Sequence, residues 1–187
     1  MATRATNPLR LDMVAFAAEG AAITGQWPGA ELRRLAQSQF MPHDVAPADV
    51  SFDAQGERRP VAGAEPEIWL RLRVHSSVWL ACQRCLQPYR LPLAIDRRLR
   101  FVRDEAEAEA LDSELEDDVL ALARWLDLRT LAEDELLLAL PIVPRHEGSC
   151  PQPLPMPQTA AEPIEAPRIN PFAVLRALKP EPGGDGR

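Results

Sequence analysis

The most regular stretch of the chain runs from Ile68 to Leu80. There Ile68, Leu70, Leu72, Val74, Val78 and Leu80 alternate with Trp69, Arg71, Arg73, His75, Ser77 and Trp79, and only Ser76 breaks the apolar series. Successive side chains of a strand point to opposite faces, so a period of two predicts a long antiparallel strand buried on one side. Residues 89–102 repeat the pattern, with Tyr89, Leu91, Leu93, Ile95, Leu99 and Phe101 on one face. Arg90, Asp96, Arg98 and Arg100 lie on the other, and Arg97 intrudes on the apolar set. The short segment from Cys82 to Pro88 joins the two runs into a hairpin.

The remaining elements are shorter. Pro28 to Gln39 reads as a short helix with Leu32 and Leu35 on one side and Pro28 in its first turn. Val45 to Asp53 alternates through Val50 and Phe52, and Pro47 restricts it to an edge or a late-starting strand. Gln55-Gly56-Glu57 reads as a turn, and residues 1–27 show no clean period. The acidic stretch 104–118 reads as a solvated loop, and 117–126 as a short ordered return. Leu128 to Leu140 is a predicted helix, with Leu131, Leu138 and neighbouring leucines on its buried face. Asp127 or Thr130 can cap it, Thr130 and Glu133 having capping-box spacing, and Pro141 stops it. Six prolines in residues 151–167 predict a disordered linker over 151–169. Asn170 as N-cap and Pro171 at the first helical position then start a last short helix over 170–179, with Phe172, Leu175 and Leu178 on one stripe. The sum is an α+β fold: an antiparallel sheet built on a long central hairpin, a few short helices packed on it, and a Pro-rich C-terminal tether. Residues 1–150 would form the single domain.

Bulk properties narrow the class. The chain has 187 residues, 46% of them hydrophobic and 26% charged, enough for one packed core. No apolar run approaches the roughly 20 residues a membrane-spanning helix needs, and no signal-peptide core follows the first arginines, so the expected location is the cytoplasm. The net charge of −7 argues against indiscriminate binding to nucleic acid. Charge is nevertheless polarised: six arginines and one acid lie between Arg84 and Arg103, and nine acids without a base between Asp104 and Asp118. A local basic face can survive an acidic total.

Three cysteines are too few for a secreted disulfide scaffold. Cys82 and Cys85 form a CxxC at the hairpin tip, and His146 and Cys150 form an HxxxC past the helix stop. A CxxC turn aims two thiolates at one cation, and a second pair from a distant segment completes the tetrahedron that zinc prefers. Such a zinc would be structural, because four protein ligands leave no position for a water nucleophile. Reduced thiols and a redox dithiol are the alternatives; redox pairs favour a helix N-terminus, and this motif lies between strands.

Opposite the core, the hairpin aligns Trp69, Arg71, Arg73, His75 and Trp79 with Arg90, Arg98 and Arg100. Guanidinium groups bind phosphates and aromatic rings stack on bases, so this face is a candidate RNA-binding surface. Ordinary solvent-facing polar residues, with the tryptophans covered by other segments, would give the same pattern. No Walker loop, GxGxxG, GxSxG or HExxH motif is present, and no catalytic constellation emerges.

Three separated segments carry a family resemblance. Cys82-Gln-Arg-Cys85-Leu-Gln-Pro88, Glu133-Asp-Glu-Leu-Leu-Leu-Ala-Leu-Pro141 with His146 and Cys150, and Asn170-Pro-Phe-Ala-Val-Leu-Arg-Ala-Leu-Lys179 together resemble the YceD family. The resemblance implies a non-enzymatic role in the synthesis, processing or stability of large-subunit (23S) ribosomal RNA. Ribosomal RNA or a pre-ribosomal particle is then the expected partner. A protein partner held through Phe172, Leu175 and Leu178 is the competing expectation.

Overall fold

The computed structural model describes residues 7–112 and 118–151. The expected linker over 151–169, apart from its first residue, and the expected helix of Phe172, Leu175 and Leu178 over 170–179 lie outside the described residues. The elements in order are α1 (Met13–Ala18), β1 (Ala22–Trp27), α2 (Arg33–Gln37), β2 (Val50–Arg59), β3 (Glu67–Ala81), β4 (Pro88–Val102), α3 (Glu105–Asp112), β5 (Asp118–Ala121) and α4 (Leu128–Leu138). No helix among the described residues is long and apolar enough to cross a membrane.

The five strands form one sheet in sequence order, with β1 to β4 antiparallel. The expected hairpin is its centre, running from Ile68 opposite Phe101 to Ala81 opposite Pro88. Leu70, Leu72, Val74 and Val78 are fully buried on the inner face, joined by Val50, Phe52 and Ala54 of β2 and Leu93, Ile95 and Leu99 of β4. Met13 and Phe16 of α1, Leu35 of α2, and Leu128, Ala132 and Leu136 of α4 close this core. Arg97, opposite Leu72 in the apolar row, extends to Glu135 of α4, where Nε lies 3.2 Å from Oε2.

Several expectations shift. The turn at Gln55-Gly56-Glu57 is instead the middle of β2, because α1 lies directly on it: a Cβ at Gly56 would sit 2.7 Å from the Phe16 ring and carbonyl. Glycine is there for close approach. The helix over 28–39 is divided by Leu32 into a 3-10 turn, Gly29–Glu31, and α2. Within the acidic stretch, residues 105–112 form α3. Asp104 accepts from the Glu107 N–H, Glu105 and Glu107 occupy the favourable first turn, and Ala108 packs on Val102 and Val119. This helix leads to β5, which pairs parallel with Leu99–Val102 of β4, so the sheet is mixed at that edge. Leu138 is 75% exposed and belongs to no core; the buried stripe of α4 runs through Leu128, Ala132 and Leu136.

Asp127 caps α4 through the N–H groups of Arg129 and Thr130. Glu133 does not complete a capping box. Its Oε1 accepts from the N–H groups of Arg34 (2.7 Å) and Leu35 (3.0 Å), and Oε2 from Arg34 Nε. α2 begins at Leu32 without a side-chain cap of its own, so a carboxylate from α4 supplies it. Glu133→Ala should therefore lower the unfolding free energy by about 2–3 kcal/mol in urea titrations. Thr130→Ala should change it by about 0.5 kcal/mol or less.

Candidate metal centre and the outer sheet face

The hairpin tip is a tight knuckle. Leu86 N–H donates to the Cys82 carbonyl at 2.8 Å and Cys82 N–H to the Gln87 carbonyl at 3.0 Å. Leu86 adopts a left-handed φ of 59° to make the turn. This folding back places both CxxC thiols on one side, where they are fully buried.

The segment after α4 docks against that knuckle. Gln83 N–H donates to the Pro144 carbonyl at 2.8 Å. Arg84, between the two cysteines, donates through Nη2 to the carbonyls of His146 (2.9 Å) and Gly148 (2.5 Å). Gly148, at φ 72°, turns the chain so that His146 and Cys150 face the same point. The result gathers one ligand atom each from Cys82, Cys85, His146 and Cys150, all within 4.8 Å of one another. Tyr89 tilts over the His146 ring at 5.1 Å between centroids.

Two of the separations match those across a coordination sphere. Cys82 Sγ and Cys150 Sγ are 3.8 Å apart, and Cys85 Sγ and His146 Nδ1 are 3.5 Å apart. Two sulfurs each about 2.3 Å from one tetrahedral ion are about 3.8 Å apart, and a sulfur and a nitrogen about 3.5 Å. A disulfide would require about 2.05 Å between sulfurs, and all three cysteines are free. Burial alone would raise the Cys82 pKa, but hydrogen bonds with the backbone of His146, Arg84 and Cys85 outweigh it and bring the thiol down to about 5. Cys150 is pushed up to about 11, by burial first and then by the Cys85 and Cys82 sulfurs. One member of the set is thus readily a thiolate, and a cation at the centre would displace the Cys150 proton.

On the outer face, paired residues share a side of the sheet. Trp69 lies opposite Arg100, Arg71 opposite Arg98, His75 opposite Ala94 and Trp79 opposite Arg90, with Arg73 opposite Asp96. All eight candidate side chains therefore lie on one face, but most of their charge is matched. Arg71 makes a two-pronged contact with Asp96 at 2.9 and 2.6 Å, Arg73 meets Asp53 at 2.8 Å and Arg100 meets Glu67 at 3.1 Å. The hydrogen bond from Arg71 holds the Asp96 carboxyl below its ordinary range.

Trp69 offers no stacking platform: it is 5% exposed, lies beneath the Arg59 guanidinium at 4.4 Å, and donates from Nε1 to Glu67. Trp79 is half-buried, its backbone N–H and carbonyl taken by Gln39 and Phe40, which meet β3 beyond the start of β2. Arg90 donates to Ser77 Oγ at 2.8 Å, and His75 is exposed. Neither Arg90 nor Arg98 forms a close ion pair among the described residues, but Arg98 still feels the Glu57 and Asp96 carboxylates. Alternation on the hairpin revealed the arginines; the neutralising Asp53 and Glu67 lie where β2 and the start of β3 bring them, which periodicity on the two central runs does not show. Arg84 was hidden in the same way, since its partners are backbone carbonyls some 60 residues away.

Residues 70–179 match the family described as large ribosomal RNA subunit accumulation protein YceD. The chain belongs to the YceD family. It is 30% identical over 174 residues to the large ribosomal RNA subunit accumulation protein YceD of Haemophilus influenzae, covering 92% of this chain and 95% of that protein. No solved structure matches. The YceD match takes in the hairpin, α4 and all four members of the cluster, whereas α1, β1, α2 and β2 precede it. The positive φ at Gly148 gives a direct check on the cluster's loop. Gly148→Ala should destabilise the protein by about 1–2 kcal/mol in thermal or urea unfolding, because an L side chain is strained in that region.

Proposed function

We propose that this YceD-family chain promotes accumulation of large-subunit (23S) ribosomal RNA in the cytoplasm, by binding RNA or a pre-ribosomal particle and without catalysis. The observation that carries this reading is the family match, with a curated relative named for that role. The outer sheet face supports direct contact: Arg71, His75, Arg90 and Arg98 are exposed along it. Arg73 and Arg100 are half-buried in their ion pairs and would contribute only by exchanging a carboxylate for a phosphate. The Arg73–Asp53 pair lies at the surface, where such pairs are worth about 0–1 kcal/mol, so its exchange is inexpensive; the Arg100–Glu67 pair is more covered and exchanges at greater cost.

The Cys3His cluster is read as a structural zinc site held by Cys82, Cys85, His146 and Cys150. The donor set is soft and four-coordinate, which suits zinc, and it leaves no position open for a reacting water. Cys82→Ser and His146→Ala should each reduce bound zinc from about one ion per chain to well below half, measured by plasma mass spectrometry on protein purified without chelator.

A second reading has one observation in its favour. The family match continues to residue 179, past the sheet and the Cys3His cluster, so the Phe172, Leu175 and Leu178 segment is part of what the family shares. It would serve as a ligand for a protein partner. Deleting the gene should lower large-subunit RNA relative to small-subunit RNA in total-RNA profiles, and the full chain should restore the ratio. Unchanged ratios would remove the ribosomal reading. A chain ending at Pro167 that restores the ratio fully would remove the adaptor reading.

A further inference from the structure

Trp125 is the indole that the fold leaves uncovered. Trp27 and Trp69 are buried and Trp79 is half-buried, whereas Trp125 is 40% exposed. It stands in the turn between β5 and α4, and that turn is firmly held. Leu11 and Leu126 exchange two backbone hydrogen bonds of 2.8 and 2.9 Å, and Leu128 N–H donates to the Pro8 carbonyl at 2.8 Å. The turn is therefore held by backbone contacts immediately after Trp125, without needing the indole to fix it.

Two guanidinium groups attend it. Arg10 Cζ lies 4.6 Å from the ring centroid and Arg124 Cζ 6.0 Å. Both arginines are exposed, and neither has an ion pair among the described residues. The acids nearest in sequence, Asp12 and Asp127, turn to cap α1 and α4 and form no ion pair with either arginine. This contrasts with Arg71, Arg73 and Arg100 on the sheet, each held by a carboxylate. In a chain of net charge −7, an exposed indole flanked by two guanidiniums that lack an ion pair among the described residues makes a small cationic, aromatic patch.

We propose that Trp125, Arg10 and Arg124 form a binding site for an unpaired nucleotide of single-stranded RNA. A base would displace the Arg10 guanidinium from the indole face and stack there, and the guanidiniums would take the flanking phosphates. The inference rests on the reading of this protein as RNA-binding and adds a contact away from the sheet face. The chemistry favours this ligand over two others. An acidic peptide would satisfy the arginines but leave the ring unused. A duplex would present phosphates but no free base face for the indole.

The test uses the full chain and a fluorescein-labelled oligouridylate, read by anisotropy at fixed low salt, with the same strand annealed to its complement in parallel. Trp125→Ala should weaken binding of the single strand about tenfold or more, the scale of one base–aromatic stack. Trp125→Phe should retain most of the affinity. The double variant Arg10→Gln, Arg124→Gln should weaken binding and lower the salt slope by about 1–2. All three should melt within a few degrees of the wild type, since backbone contacts hold the turn. If Trp125→Ala or the arginine double variant binds as the wild type does, the site is not here, although RNA binding by another surface stands. Tighter binding of the duplex than of the single strand overturns the stacking role. If the wild-type chain binds neither RNA, direct contact falls together with this site.

Discussion

Every other described element takes its position from the ladder between β3 and β4. Its inner side is a continuous apolar strip, and water exclusion fixes the register, since a one-residue slip would turn Leu70, Leu72 and Val74 to solvent and the arginines inward. Helices α1 and α4 are then obliged to cover that strip, because neither their own apolar side chains nor the sheet's can be buried alone. The same register carries the cysteine knuckle to one end of the hairpin, while α4 delivers the His146 segment to meet it. Hydrophobic packing on one side of a sheet thus determines where the polar chemistry assembles.

The hairpin was legible because its alternation is long and unbroken, and the cluster because four residues of metal-binding type fall at two close spacings. The parts that escaped were those fixed by tertiary contact. Gly56 resembles a turn residue until Phe16 is seen lying on it. The acid-rich stretch after Arg103 looks solvated by composition, yet its Ala108 and Leu111 cover a second small core with Val102 and Val119. Glu133 fits a local capping box with Thr130, but its carboxylate is claimed by backbone N–H groups of another helix, far away in sequence. Local patterns were reliable where burial depends on one element, and unreliable where two elements share a residue.

Charge follows the same division. The sequence separates a basic run from an acidic one, and the fold brings carboxylates from β2, β3 and β4 among the guanidiniums. The outer face is therefore a mosaic and not a uniform cationic field. Long-range attraction of a polyanion would be modest, and recognition would depend on the few cations left unmatched.

The bolting of the knuckle by Arg84 and Gln83 bears on the order of events in the protein's life. These contacts run from side chain or backbone to backbone carbonyls and involve no thiol or imidazole, so they can form before any ion arrives. An incoming cation would find its donors already gathered, and little chain entropy would remain to be lost on capture. Most of the coordination energy would then appear as tight retention of the ion, with the sheet keeping its core whether the ion is present or withdrawn.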